Sequence, residues 1–259
     1  MSNVRDNRSI EAELMRVAEL CLAGDLLQAG RLVEDLLRVA PRDLRARFYL
    51  GEIKRRAGDF EGAMASFKRV LDGGIRTAQV YVSKGLTHRR LAQAGDARRC
   101  FERAVALEPC SAEALGNLGN LHFEAGEDEQ ALLYYRRALA ADASNLRLCE
   151  NLAATLIATS RLDEAAALLL RAWPSSKDPP PRELMLALAS ELQTAERFAD
   201  SQPVFERLLA LAPGDPEALN GDGRARFMTG DFAGARASFL RAVALAPADP
   251  LLHFHLGAA

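Results

Sequence analysis

Histidine and cysteine, the side chains that most often bind transition metals, are few and scattered in this sequence. Zinc sites use them at short, fixed spacings. The cysteines form no CxxC pair, and the HxH of His253 and His255 is a weak metal signal by itself. We interpret His88 and His122 as hydrogen-bonded core residues, with a ligand role as the alternative. We therefore expect no metal ion and no cofactor. The full set is His88, His122, His253, His255, Cys21, Cys100, Cys110 and Cys149.

Sequence motifs of catalytic centres are missing as well. The chain has no Walker-type phosphate loop, no GxSxG and no HExxH. Its net charge is -2, whereas proteins devoted to nucleic acid usually carry a strong basic excess. No run of about 18 apolar residues could span a membrane. We predict a non-enzymatic protein that binds no nucleic acid and inserts in no membrane. Scattered thiols favour a cytoplasmic location.

A 34-residue repeat organises the chain. Repeats of this length are typical of a solenoid, in which each unit packs on its neighbours. The predicted units start at Ile10, Leu44, Ala78, Ala112, Leu146, Arg182, Pro216 and Pro250. The predicted division is a polar segment 1–9, five units in 10–179, a proline joint 180–181, two units in 182–249, and the first helix of a truncated eighth unit, 250–259.

Small and large side chains recur at fixed positions of each unit, as expected for two antiparallel helices joined by a tight turn. Small residues let the helix backbones approach, and bulky residues fill the space that remains. The eighth position holds Val17, Gly51, Gly85, Gly119, Ala153, Ala189 and Gly223. The twentieth holds Ala29, Ala63, Ala97, Ala131, Ala165, Ser201 and Ala235. The twenty-fourth holds Val33, Phe67, Phe101, Tyr135, Leu169, Phe205 and Phe239.

Glycine and proline mark the turns and the helix ends. Proline cannot donate a hydrogen bond inside a helix, so it favours the end of each second helix. Gly95 of the third unit comes three residues later than the other turn glycines, and we expect a longer first helix and a shorter second helix there. The other turn glycines are Gly24, Gly58, Gly126 and Gly230, and the prolines are Pro41, Pro109, Pro213 and Pro247.

The period, the small residues at eight and twenty, the aromatic at twenty-four and the proline at thirty-two resemble the tetratricopeptide repeat family, over residues 10 to about 257. The resemblance implies an all-α fold, a right-handed superhelical α-solenoid of antiparallel helix pairs. It also implies that the first helix of each pair lines a concave groove that binds a protein or peptide.

By this resemblance, positions two, five, six, nine, twelve and thirteen of each first helix face the groove. The helical period alone puts the same positions on one broad face. In the second to fifth units we expect the following peptide-binding residues: Arg45, Phe48, Tyr49, Glu52, Arg55, Arg56, Arg89, Arg90, Asn117, Asn120, Arg147 and Asn151.

The chemistry of this face suits an extended, acidic segment. Residues 44–103 hold 14 Lys/Arg against 6 Asp/Glu, whereas 104–145 are net acidic. Guanidinium groups beside aromatic rings bind carboxylates through paired hydrogen bonds. Asn117 and Asn151 share position six, where amides could hold a peptide main chain, similar to the asparagine ladder of nucleocytoplasmic O-linked N-acetylglucosamine transferases. A solvated basic face without a ligand is the alternative.

Two segments depart from the repeat. In the seventh unit Asp222 and Arg226 occupy positions that are usually apolar, and we predict a solvent-facing i,i+4 pair, with a functional pair as the alternative. Between the fifth and sixth units, Trp173–Pro181 is rich in proline. We interpret it as an irregular loop with Trp173 in the core, or else as a hinge that sets the shape of the groove.

The leading hypothesis is a cytoplasmic scaffold or adaptor that holds an extended, acidic peptide. The last residues form a first helix without its partner, so we expect the natural protein to continue past Ala259 and the uncapped helix to allow self-association. The alternative is the N-terminal, substrate-recruiting arm of a larger enzyme of the glycosyltransferase or sulfotransferase type. RNA binding, a third interpretation, would require salt-sensitive polynucleotide affinity. The alanine and arginine content is typical of a bacterium with a GC-rich genome.

Overall fold

The structure is a computed structural model that describes residues 7–172 and 181–259. These residues form fifteen α-helices and no strand, which confirms the all-α prediction. The helices are α1 Asn7–Ala23, α2 Leu26–Val39, α3 Leu44–Arg56, α4 Phe60–Asp72, α5 Ala78–Arg90, α6 Ala94–Leu107, α7 Ala112–Glu124, α8 Asp128–Ala141, α9 Leu146–Ala158, α10 Leu162–Ala172, α11 Arg182–Thr194, α12 Phe198–Leu211, α13 Pro216–Met228, α14 Phe232–Leu245 and α15 Pro250–Ala258.

Aspartate begins many of these helices. The Asp59 carboxylate, for example, accepts a hydrogen bond of 2.8 Å from the backbone N–H of Gly62, one of the amides that lack a partner within the helix. Such a cap stabilises a helix by about 1 kcal/mol. The aspartates whose side chains act in this way are Asp25, Asp43, Asp59, Asp215, Asp231 and Asp249.

The turn between paired helices requires one residue in the left-handed region. Gly24, Gly58, Gly126 and Gly230 have φ between 72° and 88°, as their role in the turn predicts. In the other turns this residue is not glycine, and φ is 58° at Ala92, 57° at Ser160 and 59° at Glu196.

The expected change of helix lengths in the third unit is wrong. Helix α5 has 13 residues, as α3 does, and α6 has 14. Gly95 lies in the first turn of α6, and Ala92 takes the left-handed position that glycine occupies elsewhere. The left-handed turn therefore keeps the two helices of the third unit in register, although alanine replaces glycine at the turn position.

Close packing inside the helix pairs follows the predicted small and bulky positions. A Cβ added to Gly51 would lie 2.6 Å from Phe67, and one added to Gly85 would lie 2.6 Å from Phe101. Heavy atoms do not approach so closely, so a side chain at either glycine would force the helices apart. The phenylalanines themselves are fully buried.

The chain forms two compact units, residues 1–121 and residues 122–259. In the first unit each of the helices α1 to α5 packs against the helix that follows it, and in the second unit each of α8 to α14 does the same. One hydrophobic cluster of the first unit surrounds Val17, Val33 and Leu36 and joins α1, α2 and α3. The predicted joint Trp173–Pro181 lies outside the described residues except for Pro181, which precedes α11. No helix among the described residues is long and apolar enough to cross a membrane.

The predicted pair of Asp222 and Arg226 forms, but it does not face solvent. Asp222 is only 2% exposed, and its Oδ2 accepts hydrogen bonds from Arg226 Nε at 2.8 Å and from Ser238 Oγ at 2.6 Å. The prediction of a solvent-facing pair is therefore wrong. Asp222 takes a buried position on α13, opposite α14.

Candidate peptide-binding groove

A cleft of about 430 Å³ lies between α1, α3 and α5 in the first unit. Its walls are mostly apolar, and Arg45 and Glu11 are the charged residues of its lining. Met15 is 67% exposed, so apolar surface is open to an incoming group. The apolar and aromatic lining residues are Leu14, Met15, Ala18, Leu44, Phe48, Tyr49, Ile75 and Val80.

Aromatic rings give one wall of the cleft its shape. Phe48 and Tyr49 meet edge to face, with ring centroids 5.8 Å apart and planes at 62°. Phe48 also contacts the core ring of Phe67 at 6.0 Å. Because aromatic pairs in this arrangement are rigid, the wall offers an apolar surface that needs little reordering on binding.

Arg45 is already held by carboxylates of the chain. Its Nη2 donates to Asp43 Oδ2 at 3.2 Å, and its Nη1 lies 3.6 Å from Glu11 Oε1. The side chain is nevertheless 47% exposed. A carboxylate that enters the cleft could therefore reach the guanidinium of Arg45, but it would share this group with Asp43 and Glu11.

Arg55 and Glu52 form a two-pronged ion pair farther along α3. Arg55 Nε donates to Glu52 Oε1 at 3.1 Å, and Arg55 Nη2 donates to Oε2 at 2.9 Å. Burial opposes the charge of Arg55, but the hydrogen bonds and charge of Glu52, together with the charge of Glu113, raise its pKa overall. Arg55 thus stays positively charged, and Glu52 is its nearest partner.

Arg89 and Asn117 continue the polar line from α5 to α7. Arg89 Nη1 donates to Asn117 Oδ1 at 3.1 Å, and Asn117 Nδ2 donates to the carbonyl oxygen of Glu113 at 2.8 Å. Asn117 is buried. Both ends of its amide therefore have partners within the unit, and a ligand main chain would have to share them.

Arg56 and Arg90 share the predicted face but reach back to the preceding helix pair. Arg56 Nη1 donates to the carbonyl oxygen of Cys21 at 2.7 Å, which satisfies the end of α1. The guanidinium of Arg90 lies 5.8 Å from the ring centroid of Phe60, at the start of α4. Both arginines support neighbouring helix ends.

The predicted residues thus fall into separate groups. Arg45, Phe48 and Tyr49 line the cleft of the first unit. Glu52 pairs with Arg55, and Arg89 bonds Asn117, while Asn120 is half-buried on α7 of the same unit. Arg147 and Asn151 lie on α9 of the second unit.

Leu14 and Met15 are the main lining residues that the sequence analysis did not select. They occupy positions five and six of the first unit, the same positions as Phe48 and Tyr49 in the second. The repeat pattern carries this signal, but apolar side chains on a helix face do not by themselves distinguish a binding surface from a packed core.

The histidines are hydrogen-bonded within the chain. His88 is buried, and its Nδ1 donates to Gln93 Oε1 at 2.7 Å. His122 makes the equivalent contact with the Glu127 carboxylate and stacks on Tyr134 at 5.1 Å. This confirms their interpretation as core residues. The described residues contain no group of three His, Cys, Asp or Glu side chains that could hold a metal ion.

A family model described as tetratricopeptide repeat matches residues 23–76, 82–145 and 186–250. The chain is 33% identical, over 104 residues, to the probable UDP-N-acetylglucosamine–peptide N-acetylglucosaminyltransferase SPINDLY of Arabidopsis thaliana, a match that covers 40% of this chain and 11% of the relative. It is 27% identical, over 210 residues, to cellulose synthase operon protein C of Xanthomonas axonopodis pv. citri. This match covers 74% of this chain and 14% of the relative. The chain therefore spans a small part of the length of these two relatives.

Solved structures share the fold. The Pseudomonas aeruginosa pilF protein superposes with a TM-score of 0.65 at 16% identity, covering 82% of this chain and 96% of that one. A repeat-containing protein of Cytophaga hutchinsonii gives 0.60 at 14% identity, covering 77% and 80%. At such identities the likeness concerns the fold alone. The family model matches most of the chain, and the helix pairs and the packing of glycine against phenylalanine agree with it. The chain therefore belongs to the tetratricopeptide repeat family, a helical repeat scaffold suited to protein interaction.

Proposed function

We propose that the chain is a non-enzymatic scaffold whose first unit holds an extended, acidic segment of a partner protein. The observation that carries the proposal is the open cleft of about 430 Å³ with Phe48 and Tyr49 in its wall and Arg45 in its lining. A cytoplasmic location fits the scattered thiols, which are all free in the structure.

The cleft suits an apolar side chain of the partner. An extended peptide points successive side chains in opposite directions, so that every second one can enter the same cleft. Burying one large apolar side chain against Met15 and the aromatic wall stabilises a complex by about 1.5–3 kcal/mol before ordering costs. This part of the interaction does not depend on charge.

Arginines give the groove its preference for acidic segments. Arg55 and Arg89 lie along the first helices beyond the cleft, and residues 44–103 carry 14 Lys/Arg against 6 Asp/Glu. A partner carboxylate that bonds a guanidinium at two points gains both energy and a defined orientation. Glu52 competes for Arg55, which favours segments whose carboxylates approach Arg45 or Arg89 as well.

The test is binding to a peptide array in which one apolar pattern is combined with acidic, neutral or basic residues between the apolar positions. The groove variant is Arg55→Gln with Arg89→Gln. The matched control, Arg69→Gln with Arg103→Gln, removes the same charge from exposed positions of α4 and α6. We expect the wild type and the control to prefer acidic peptides and the groove variant to bind them about tenfold more weakly.

Equal loss of affinity in the groove variant and in the control would contradict the proposal, because it would show that only net charge matters. Equal binding of acidic, neutral and basic peptides by the wild type would contradict only the proposed preference for acidic segments. Circular dichroism of each variant verifies that the helices are retained.

The likeness to a glycosyltransferase favours a second candidate function, the substrate-recruiting arm of a larger enzyme. The chain is 33% identical to the SPINDLY protein over 104 residues. The gene itself distinguishes the candidates. Several hundred codons with an α/β pattern beyond codon 259 would favour the enzyme arm, and a stop codon after one capping helix would favour the free-standing scaffold.

A further inference from the structure

Two helix pairs of the second unit, α9–α10 and α11–α12, lack both local devices that stabilise the turns of α1–α2, α3–α4 and α13–α14. Those three turns have glycine in the left-handed position and then an aspartate that caps the second helix. Here Ser160 and Glu196 take the left-handed position, and Arg161 and Arg197 follow. A guanidinium has no acceptor for a backbone N–H, so it cannot replace the aspartate cap. Both pairs are therefore weakened at the turn.

Both arginines reach back to the preceding helix pair instead. Arg161 Nη2 donates to Glu129 Oε1, at the start of α8, at 2.5 Å. Arg197 Nη2 donates to Asp163 Oδ1, at the start of α10. The two acids lie 34 residues apart, at the same position of successive repeats, so one ion pair is built twice. At the position of the arginines the other helix pairs have aspartate, glutamine or glutamate, which cannot form it.

A cleft of about 590 Å³ between α8 and α10 makes such ion pairs important for the connection of these helices. Leu152 and Leu156 of α9 line the cleft between them. Arg136 of α8 and Glu164 of α10, which also line it, form a further ion pair, with Nη2 and Oε2 2.5 Å apart. The connection between α8 and α10 thus depends in part on charged groups that meet across an open space.

These ion pairs are accessible to ions of the solvent. The side chain of Glu129 is 72% exposed, and that of Asp163 is 81% exposed. Attraction between exposed charges is screened within about 10 Å at an ionic strength of about 0.1 M and within about 3 Å at about 1 M. Each exposed pair is weak by itself, so we expect effects of a few fold rather than complete opening. Salt should weaken these contacts more than it weakens a turn of glycine and aspartate.

We propose that the helices from α8 to α12 form a charge-coupled segment, in which opening of one helix pair promotes opening of the next, and which loosens as the ionic strength rises. The stability of a repeat protein is divided between each repeat and its contacts with its neighbours. The turns at Arg161 and Arg197 move part of the stabilisation from the repeat to these contacts. This device lies wholly within the second unit and does not depend on the groove of the first unit.

The test is hydrogen–deuterium exchange of the full chain, followed by mass spectrometry at about 0.05 M and about 1 M sodium chloride. We expect the amides of α10 and α12 to exchange about threefold faster at high salt, relative to those of α14. Arg161→Gln with Arg197→Gln should exchange at low salt as the wild type does at high salt. The matched control, Arg103→Gln with Arg236→Gln, removes the same charge from exposed positions of α6 and α14 and should behave as the wild type.

Coupling between helix pairs is tested by a change on α8 that is read out on α10. Glu129→Gln should speed exchange in α10 about threefold, whereas Glu102→Gln, at an exposed position of α6, should not. Ser160→Gly with Arg161→Asp rebuilds the turn of α3–α4, and it should slow exchange in α10 and reduce the effect of salt there. An equal response of α10, α12 and α14 to salt, or no response of α10 to Glu129→Gln, would overturn the proposal.

Discussion

The ion pair between Arg55 and Glu52 would limit the affinity of the proposed groove for an acidic partner. Glu52 neutralises Arg55 within the protein. A ligand carboxylate must therefore displace Glu52, or share Arg55 with it, before it gains the full ion-pair energy. The groove is therefore basic in composition but partly neutralised in structure.

Glu52→Gln should raise the affinity for acidic peptides about fivefold, because the amide removes the carboxylate that is hydrogen-bonded to Arg55. Peptide titration by fluorescence anisotropy measures the change. Glu61→Gln is the matched control, since it removes one negative charge from an exposed position at the start of α4. An equal gain in both variants would contradict a specific role for Glu52.

Asp222 shows what one buried charge requires of its neighbours. Oδ2 has two donors, but the buried Oδ1 has no hydrogen-bond partner among the residues that the structure describes. Other units carry leucine at this position, for example Leu118 and Leu152. That comparison already indicated burial, and the prediction of a solvent-facing pair gave too much weight to the i,i+4 spacing.

Arg226→Ala should lower the free energy of unfolding by about 2 kcal/mol, because it leaves the Asp222 carboxylate buried with less compensation. Asp222→Leu together with Arg226→Ala should recover most of the loss, since leucine is the residue of the equivalent positions. Urea unfolding followed by circular dichroism measures both. A double variant that is as unstable as the single one would count against this account.

At the scale of the element, the left-handed turn residue is what keeps the helix pairs in register. Three turns hold it without glycine, at Ala92, Ser160 and Glu196. For a residue with a Cβ this conformation costs about 1 kcal/mol relative to glycine. The packing of the flanking helices therefore imposes it.

Ala92→Gly should raise the free energy of unfolding by about 0.5–1 kcal/mol, because it removes this strain. Ala65→Gly, the same substitution at an exposed position inside α4, should lower it by a similar amount. Thermal unfolding of the two variants gives the comparison. Destabilisation by both would show that the left-handed conformation of Ala92 carries no strain.

The start of α13 is tied to α11 by a charged cap. Asp215 accepts the backbone N–H of Ala218 at 3.1 Å and is bound by Arg182 Nε at 2.5 Å. The hydrogen bond from Arg182 contributes most to lowering the pKa of this buried carboxyl. The stabilisation is therefore present above the unfolded pKa of about 3.9 and is lost as the pH falls through the lower folded pKa.

Asp215→Asn keeps a capping oxygen but removes this charge. We expect the variant to be less stable than the wild type by about 1–2 kcal/mol at pH 7, and the difference to shrink as the pH falls below about 4. Urea unfolding across this pH range measures the effect. A difference that stays constant with pH would mean that Asp215 acts only as a neutral cap.

At the scale of the whole chain, the sequence period predicted the helices well, because each unit repeats the same helix–turn–helix backbone with small and bulky side chains at fixed positions. Gly51 against Phe67 shows that small and bulky positions translate directly into contacts. The groove was harder to predict, because a shared helix face does not fix side-chain direction. Arg56 and Arg90 lie near helix ends and contact the preceding helix pair, which the pattern of a single helix does not reveal.

The central claim, that the cleft between α1, α3 and α5 is the working surface of the first unit, is tested most directly by NMR chemical-shift mapping with an acidic, apolar peptide. We predict that the largest shifts fall on Met15, Phe48, Tyr49 and Val80, which line the cleft. Shifts confined to exposed residues of α2, α4 and α6, with the cleft residues unchanged, would contradict the claim.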